Sequence, residues 1–158
     1  MCGAPNLSSF SSSKYSLAYI ELRVFSHATE DQQKVETAVR NTLPEKLASE
    51  VTFTNTNLTG HYGNPIFLLE TKLTEKTELP SAMEKISTSL SSLDKEQLST
   101  ELNQHIEKNN LYLRFGKQSA FLGNLKITSN DPIHFKIHFK NKKPEEIGEI
   151  CKQAGLLP

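Results

Sequence analysis

Alternation of apolar and polar positions predicts the strands of this chain. It is clearest within the predicted strand at 132–140, where from residue 133 every second side chain is apolar and those between are cationic or imidazole. Because successive side chains of a strand point to opposite faces, the segment predicts a strand with one buried and one solvated face. Residues 15–25 follow the same period and predict another strand.

Apolar positions three and four residues apart predict the helices. Thr29 is the expected N-cap of the first helix. Pro80 suits the first turn of a second, and Asp94 is expected to cap a third that ends near residues 109–110. Pro144 suits the start of a terminal helix, so four helices are expected in all.

The remaining strands complete an α+β pattern. Strands are predicted at 50–57, 66–74, 111–115 and 125–128, the first two joined as a hairpin, while 116–123 is either a loop or one helical turn. The order β-α-β-β-α-α-β-β-β-α predicts helices packed on one face of a mostly antiparallel sheet. Residues 1–13 are rich in serine and predict a disordered tail, followed by a single α+β domain at 14–158.

Length and composition narrow the class of protein. The 158 residues are enough for one domain with its own core, and no apolar run is long enough to span a bilayer. The N-terminus lacks the cationic start and apolar stretch of a secretory signal. Two cysteines make no disulfide framework, which favours a reducing compartment. A cytoplasmic protein without a membrane partner is therefore expected.

The net charge of zero hides a cationic block. From Leu111 to Lys143 there are seven lysines and arginines and one acid, Asp131. Such asymmetry within a neutral chain indicates a polyanionic partner such as RNA. The alternative is a solvated face that acids elsewhere in the fold balance.

No catalytic template is present in the sequence. It has no nucleophile elbow, phosphate-binding glycine loop, zinc-binding helix or dinucleotide fingerprint. His134 and His138 fall on one strand face, but Lys136 between them disfavours a metal ion. We expect neither catalytic residues nor a metal or other cofactor.

The strand at 132–140 is the strongest candidate surface for RNA. Its solvated face and the segment that follows it contribute Lys136, His138, Lys140, Lys142 and Lys143. Lysines neutralise phosphates, and imidazoles can stack on bases or donate to them. Tyr62, in a loop between glycines, and Tyr112, in the segment 111–123, offer rings for stacking on unpaired bases. An ordinary hairpin loop and an ordinary polar strand face remain the plain alternatives.

Several short motifs occur together in one order and spacing. They are residues 27–31, Val35, Leu43-Pro44, Gly60-His61-Tyr62-Gly63-Asn64-Pro65-Ile66, Leu111-Tyr112-Leu113-Arg114, Lys117-Gln118 and Ala120-Phe121-Leu122-Gly123. As an ordered set they resemble the archaeal family of predicted RNA-binding proteins, also described as predicted exosome subunits, over about Tyr19 to Leu156. Family members tend to carry Asp or Asn where this chain has Gly116.

The resemblance implies a fold and a partner. The implied fold is similar to that of the ribosomal large-subunit protein that binds 5S RNA, with a curved antiparallel sheet, and the implied partner is RNA. No catalytic residue comes with the resemblance. The candidate contacts that it implies are His61, Asn64, Arg114, Lys117 and Gln118.

Two function hypotheses follow. The first is a non-catalytic RNA-binding protein, associated with RNA processing or the exosome, whose cationic block at 111–143 binds phosphates. The second is a protein–protein interaction or assembly factor that uses the same sheet face. The lack of aromatic residues on the cationic face of the strand favours the second, because binders of single-stranded RNA usually place rings there.

Overall fold

The structure is a computed structural model and describes residues 14–60 and 62–158. The predicted tail, 1–13, and the candidate residue His61 lie outside the described residues. A short 3₁₀ turn at Lys14–Ser16 precedes the first strand. The elements that follow are β1 (Leu17–His27), α1 (Gln32–Arg40), α2 (Glu45–Glu50), β2 (Thr54–Thr59), β3 (Pro65–Leu73), α3 (Glu78–Ser89), α4 (Ser92–Thr100), α5 (Leu102–His105), β4 (Ile106–Glu107), β5 (Asn110–Gly116), α6 (Lys117–Phe121), β6 (Pro132–Phe139) and α7 (Pro144–Gln153).

The strands form one open antiparallel sheet in the order β2-β3-β1-β6-β5-β4, and the seven helices of the described ranges pack on it. The predicted α+β fold with a mostly antiparallel sheet is therefore confirmed. None of these helices, within the described residues, has the length and apolar run that a bilayer crossing requires. The proposed single domain at 14–158 stays a prediction.

Strand β6 has the two faces that its sequence predicts. Its apolar positions are at most 1% exposed, whereas the polar positions between them are half-buried. The first strand shows the same division, with Ile20, Leu22 and Val24 buried and Arg23 exposed. One face of each strand thus belongs to the core, and the other, here called the open face, carries polar side chains.

One compact unit of the chain contains the described residues up to Ile20 together with Leu73–Tyr112 and Lys136–Pro158. Its core includes Met83 and Ile86 of α3, Leu98 of α4 and Cys151 of α7, all fully buried. Burial raises the pKa of the Cys151 thiol to about 12, so thiolate is scarce at neutral pH and the thiol is inert, as expected.

The other compact unit contains Glu21–Lys72 and Leu113–Phe135. Its first helix, α1, begins later than predicted, because the N-cap is Asp31 and not Thr29. The Asp31 carboxylate accepts the backbone N–H of Gln33 at 2.9 Å. Val35 and Ala38 of this helix are buried in the unit's core.

The predicted strand at 50–57 is wrong in its bounds. Residues 45–50 form helix α2, and the strand begins only at Thr54. All six residues of β2 are exposed, so the strand exists through its pairing with β3 rather than through a buried apolar face. The predicted hairpin of these two strands is confirmed.

Two further predictions need correction. The third predicted helix does not continue to residues 109–110: α4 ends at Thr100, and β4 pairs with the start of β5 through a turn in which Lys108 has a positive φ of 57°. Residues 125–128 form no strand, only an isolated bridge between Phe115 and Ile127. The ambiguous segment 116–123 contains the short helix α6.

Candidate nucleic-acid interface

Lys117 is held by three acceptors in the second of these units, the one that contains Glu21–Lys72. Its ammonium lies 2.8 Å from the backbone oxygen of Phe25 and 2.9 Å from both Glu30 Oε1 and Asp131 Oδ2. The side chain is only 10% exposed. Because an ammonium has three N–H donors, these acceptors use its whole hydrogen-bonding capacity. Lys117 therefore joins the end of β1, the turn before α1 and the turn before β6.

The carboxylate of Asp131 is held in its ionised form. Burial opposes ionisation, but hydrogen bonds and charge from Lys117 and His27 outweigh it and lower the pKa of Asp131. The His27 Nε2 atom lies 3.2 Å from both Asp131 oxygens. His27, Glu30 and Asp131 bring ligand atoms within 4.8 Å of one another, a spacing that suits a metal ion. The Lys117 ammonium already supplies the positive charge between the two carboxylates.

A pocket of about 680 Å³ opens beside this cluster, between α1 and α6. It is called the α1–α6 pocket below. Its lining includes Lys34 and Val35 of α1, Gln118 and Phe121 of α6, and Lys126 of the following loop. The Asn41 side chain fixes α6 against α1 by donating to the backbone oxygens of residues 120 and 121 at 2.9 and 3.2 Å.

A smaller pocket, of about 180 Å³, brings the 60–64 loop to the end of β1. Tyr62 and Asn64 line it together with His27 and Thr29. The Tyr62 residue is 88% exposed. Gly63 has a φ of 82°, the left-handed region that glycine adopts most readily, and it turns the chain at this loop. The structure thus places the motif at 27–31 beside that at 60–66, although some thirty residues separate them along the chain.

The open face of the first unit carries a stacked group of side chains. The rings of Tyr19 and His138 are parallel to within 20°, with centroids 4.8 Å apart. The Lys136 ammonium lies 5.8 Å from the centroid of the Tyr19 ring, within the range of a cation–π contact. Asn110 Oδ1 lies 2.6 Å from His138 Nδ1 and fixes the imidazole in place. This group, Tyr19 with Lys136 and His138, is called the Tyr19 stack.

The open face of the second unit is also cationic. Arg114 is exposed on β5, while Arg23 on β1 pairs with Glu70 at 3.2 Å. Burial first, and then the charges of Arg114 and Arg23, lower the pKa of His134 on β6. The imidazole is therefore mostly neutral at pH 7, and a nearby anion would favour its protonation.

The remaining candidates are placed separately. Tyr112 is half-buried on the open face of β5, and Gln118 is exposed on α6. Lys140 is exposed just after β6 and forms no ion pair within the described residues. Lys142 lies 3.9 Å from Glu146, and Lys143 is the N-cap residue of α7.

Sequence reasoning missed three residues that organise these sites. Tyr19 and His27 are on β1 and make their contacts with side chains more than a hundred residues away. In the sequence Asp131 stands out only as the single acid of the cationic block, although it binds Lys117. The motif at 27–31 was a signal for His27, whereas no local pattern marked Tyr19.

Comparison with known proteins gives consistent matches. A family model described as RNA binding matches residues 19–139. RNA-binding protein PAB1135 of Pyrococcus abyssi is 32% identical over 124 residues, which cover 77% of this chain and 80% of that protein.

Solved structures match as well. Protein AF2318 of Archaeoglobus fulgidus superposes with a TM-score of 0.75 at 27% identity, covering 87% of this chain and 99% of that one. Mth689 of Methanothermobacter thermautotrophicus, described as a DUF54 protein, superposes with a TM-score of 0.73 at 29% identity, covering 87% and 97%.

Proposed function

Because the chain belongs to the RNA-binding family whose model it matches over 19–139, we propose that it binds RNA through the open face of β6 and the strands beside it. The observation that carries this proposal is the Tyr19 stack. It combines a ring, an imidazole and an ammonium on one open sheet face. Proteins that bind single-stranded RNA use such faces for base stacking and phosphate contact.

The Tyr19 stack also bears on the alternative of a protein-docking face. That alternative was favoured by the lack of rings on the cationic face of the 132–140 strand. The neighbouring strand supplies the ring, because Tyr19 of β1 lies against His138 of β6. The lack of rings therefore no longer favours a protein partner, and we prefer RNA as the partner of this face.

Phosphate binding is assigned to the accessible cations of the block at 111–143. In the first unit these are Lys140, which is exposed, and Lys136, which is half-buried on the open face of β6. In the second unit it is Arg114, which is exposed on β5. Lys142 and Lys143 extend this charge beyond the strand. Lys117 differs, since its donors are used by protein acceptors, and we assign it a positioning role.

We propose that the protein is non-catalytic and acts in RNA processing, where the resemblance to predicted exosome subunits would place it. The Lys117 ammonium lies between the carboxylates of Glu30 and Asp131, where a catalytic metal ion would otherwise be needed, which supports a binding role. Affinity purification before and after nuclease treatment tests the association. Exosome components that remain after nuclease would support it, and their absence from both samples would contradict it.

Fluorescence anisotropy with a short single-stranded RNA tests the RNA-binding proposal. We expect binding that weakens linearly with the logarithm of salt concentration. Replacing Tyr19 by Leu keeps an apolar side chain but removes the stacking ring, and should weaken affinity about tenfold.

Tyr62→Leu provides the matched control, because Tyr62 is the exposed ring of the 60–64 loop. We expect a loss of about twofold or less, since that loop is at most a secondary contact. The reverse ranking of the two variants would place the interface at the loop. Salt-independent binding, or none, would contradict the proposal altogether.

A further inference from the structure

The α1–α6 pocket has the size and lining of a ligand site, and the interface on the open face of β6 does not use it. Its volume of about 680 Å³ is in the range of small-molecule and cofactor sites, about 300–1,000 Å³. Val35 and Ala38 give it an apolar side, and the polar groups of α6 and of the loop 126–131 give it a polar one. A ligand that fits must therefore have a planar or apolar part and several polar groups.

Phe121 provides a surface for a planar group. Its residue is 40% exposed, and the Lys34 ammonium lies 6.0 Å from the ring centroid. The two hydrogen bonds from Asn41 hold the backbone of this segment in place, so the backbone that carries the ring is positioned beside the pocket before a ligand arrives. A nucleobase stacks on such a ring whatever its identity.

Two lysines of the pocket are suited to a phosphate. Lys34 and Lys126 are exposed, and neither forms an ion pair within the described ranges 14–60 and 62–158. The third lysine, Lys117, is not available because its ammonium is bound by three protein acceptors. We therefore expect the ammonium groups of Lys34 and Lys126 to bind and neutralise a phosphate group.

Asp131 is suited to sugar hydroxyl groups. Its lowered pKa keeps it ionised, so it acts only as a hydrogen-bond acceptor. Among the described residues, its Oδ2 atom accepts from both Lys117 and His27, whereas Oδ1 accepts from His27 alone. Since a carboxylate oxygen has two acceptor positions, Oδ1 can take a further hydroxyl donor. A ribose offers a 2′-hydroxyl for this contact, and a deoxyribose does not.

We propose that the α1–α6 pocket binds one ribonucleotide, with the base on Phe121, the phosphate at Lys34 and Lys126, and the ribose hydroxyls at Asp131. The ribonucleotide is either free or a unit of an RNA chain. In the second case the pocket gives the protein its preference for RNA over DNA, and this part rests on the proposed function.

Nuclear magnetic resonance titration of the full chain with AMP, dAMP and inorganic phosphate tests the pocket directly. We expect AMP to shift the amide signals of α1 and α6 saturably, and dAMP to bind about tenfold more weakly because the hydrogen bond to Asp131 is missing. Phosphate alone should bind far more weakly than AMP. Equal affinity for AMP and dAMP, or shifts confined to other parts of the chain, would overturn the proposal.

Substitutions at two neighbouring residues distinguish an effect on the pocket from an effect on the surface beside it. Phe121→Ala should weaken AMP binding at least tenfold, whereas Leu122→Ala, which removes an exposed side chain outside the pocket lining, should leave it unchanged. Equal effects of the two variants would contradict the assigned stacking role. The AMP-to-dAMP ratio of the parent protein does not depend on how either variant folds.

Repeating the AMP titration in the presence of a saturating short RNA distinguishes the two sources of the ligand. Loss of AMP binding shows that an RNA unit occupies the pocket, and unchanged AMP binding shows a site for a free ribonucleotide. If AMP binds but no RNA does, the proposed function fails and the pocket stands. If RNA binds and AMP leaves α1 and α6 unaffected, the pocket fails and the proposed function stands.

Discussion

The cationic block contains two kinds of lysine, and Lys117 and Lys140, which lie on either side of β6 in the sequence, show the difference. Before the strand, Lys117 is 10% exposed and bound by Phe25, Glu30 and Asp131. After the strand, Lys140 is exposed without an ion pair in the described chain, while Lys136, within the strand, is half-buried on the open face beside the Tyr19 ring. The two lysines carry the same charge, but the ammonium of Lys117 is bound within the protein, whereas that of Lys140 is accessible to a ligand.

The net charge of a segment does not distinguish these two kinds of lysine. A block of seven cations indicates a polyanionic partner only through those whose side chains remain accessible. A lysine that satisfies partly exposed carboxylates still contributes to stability, while its contribution to phosphate affinity is small because binding would require breaking existing hydrogen bonds.

Removing the Lys117 ammonium should have the largest effect on stability. Lys117→Met keeps the length of the side chain but leaves Glu30, Asp131 and the Phe25 carbonyl without their donor. We expect the free energy of unfolding to fall by about 2 kcal/mol, less than for a fully buried pair because both carboxylates are partly exposed. Urea denaturation measures this change.

Lys126→Met is the matched control for that experiment. Lys126 is exposed and in no ion pair of the described residues, so the free energy of unfolding should change by no more than about 0.5 kcal/mol. Equal destabilisation by the two substitutions would remove the distinction between the two kinds of lysine.

Acid should weaken the same cluster through Asp131. Because the folded-state pKa of Asp131 is below its ordinary value of 3.8, the ionised carboxylate stabilises the fold fully above that value. The contribution is lost as the pH falls from there through the lower folded-state pKa. Asp131→Asn should therefore cost about 1 kcal/mol at pH 6 and less at pH 3, as measured by denaturation at each pH. A constant difference would contradict the assigned charge.

The fold was predictable where the signal is local. Alternation defines β6 within one residue, 132–140 against 132–139 observed. The exposed strand β2 has no such signal, because its residues bury no apolar face and only pairing with β3 makes them a strand. Helix α2 was missed for a different reason. The apolar residues Val51 and Phe53, which follow it, suggested a strand that begins at residue 50.

The site was predictable only in part. The motifs at 27–31, 60–66 and 117–123 fall in segments that line the two pockets, but the ion pairs of Lys117 connect residues 14 and 87 positions apart. The Tyr19 stack depends on β1 lying beside β6, and no periodicity in either strand reveals the order of strands in a sheet.

RNA affinity should rise modestly as the pH falls. His134 has a lowered pKa in the free protein, and phosphates nearby would favour its protonated form, so binding takes up protons. We expect affinity to strengthen roughly threefold between about pH 7.5 and 6. His134→Gln should remove most of this dependence, and a parent protein with no pH dependence would place the bound phosphates away from that imidazole.

Gly116 should permit a small gain in stability. It is the N-cap of α6 with an ordinary φ of −66°, and an added Cβ would lie 3.3 Å from a methyl group of Thr128. Because that methyl belongs to a half-buried side chain that can shift, Gly116→Asn should supply a helix cap and add a few tenths of a kcal/mol. A loss of stability by urea denaturation would show that Thr128 cannot move.

The salt dependence of RNA affinity tests the central distinction most directly. Each phosphate contact to single-stranded RNA contributes about 0.7 to the slope of log affinity against log salt, or about fivefold in affinity at 0.1 M relative to 1 M. Lys136→Gln/Lys140→Gln should therefore lower the slope by about 1.4 and the affinity at 0.1 M roughly 25-fold. Lys46→Gln/Lys76→Gln, which removes two exposed lysines outside the block, should change neither. An unchanged slope in the Lys136/Lys140 variant would contradict the account.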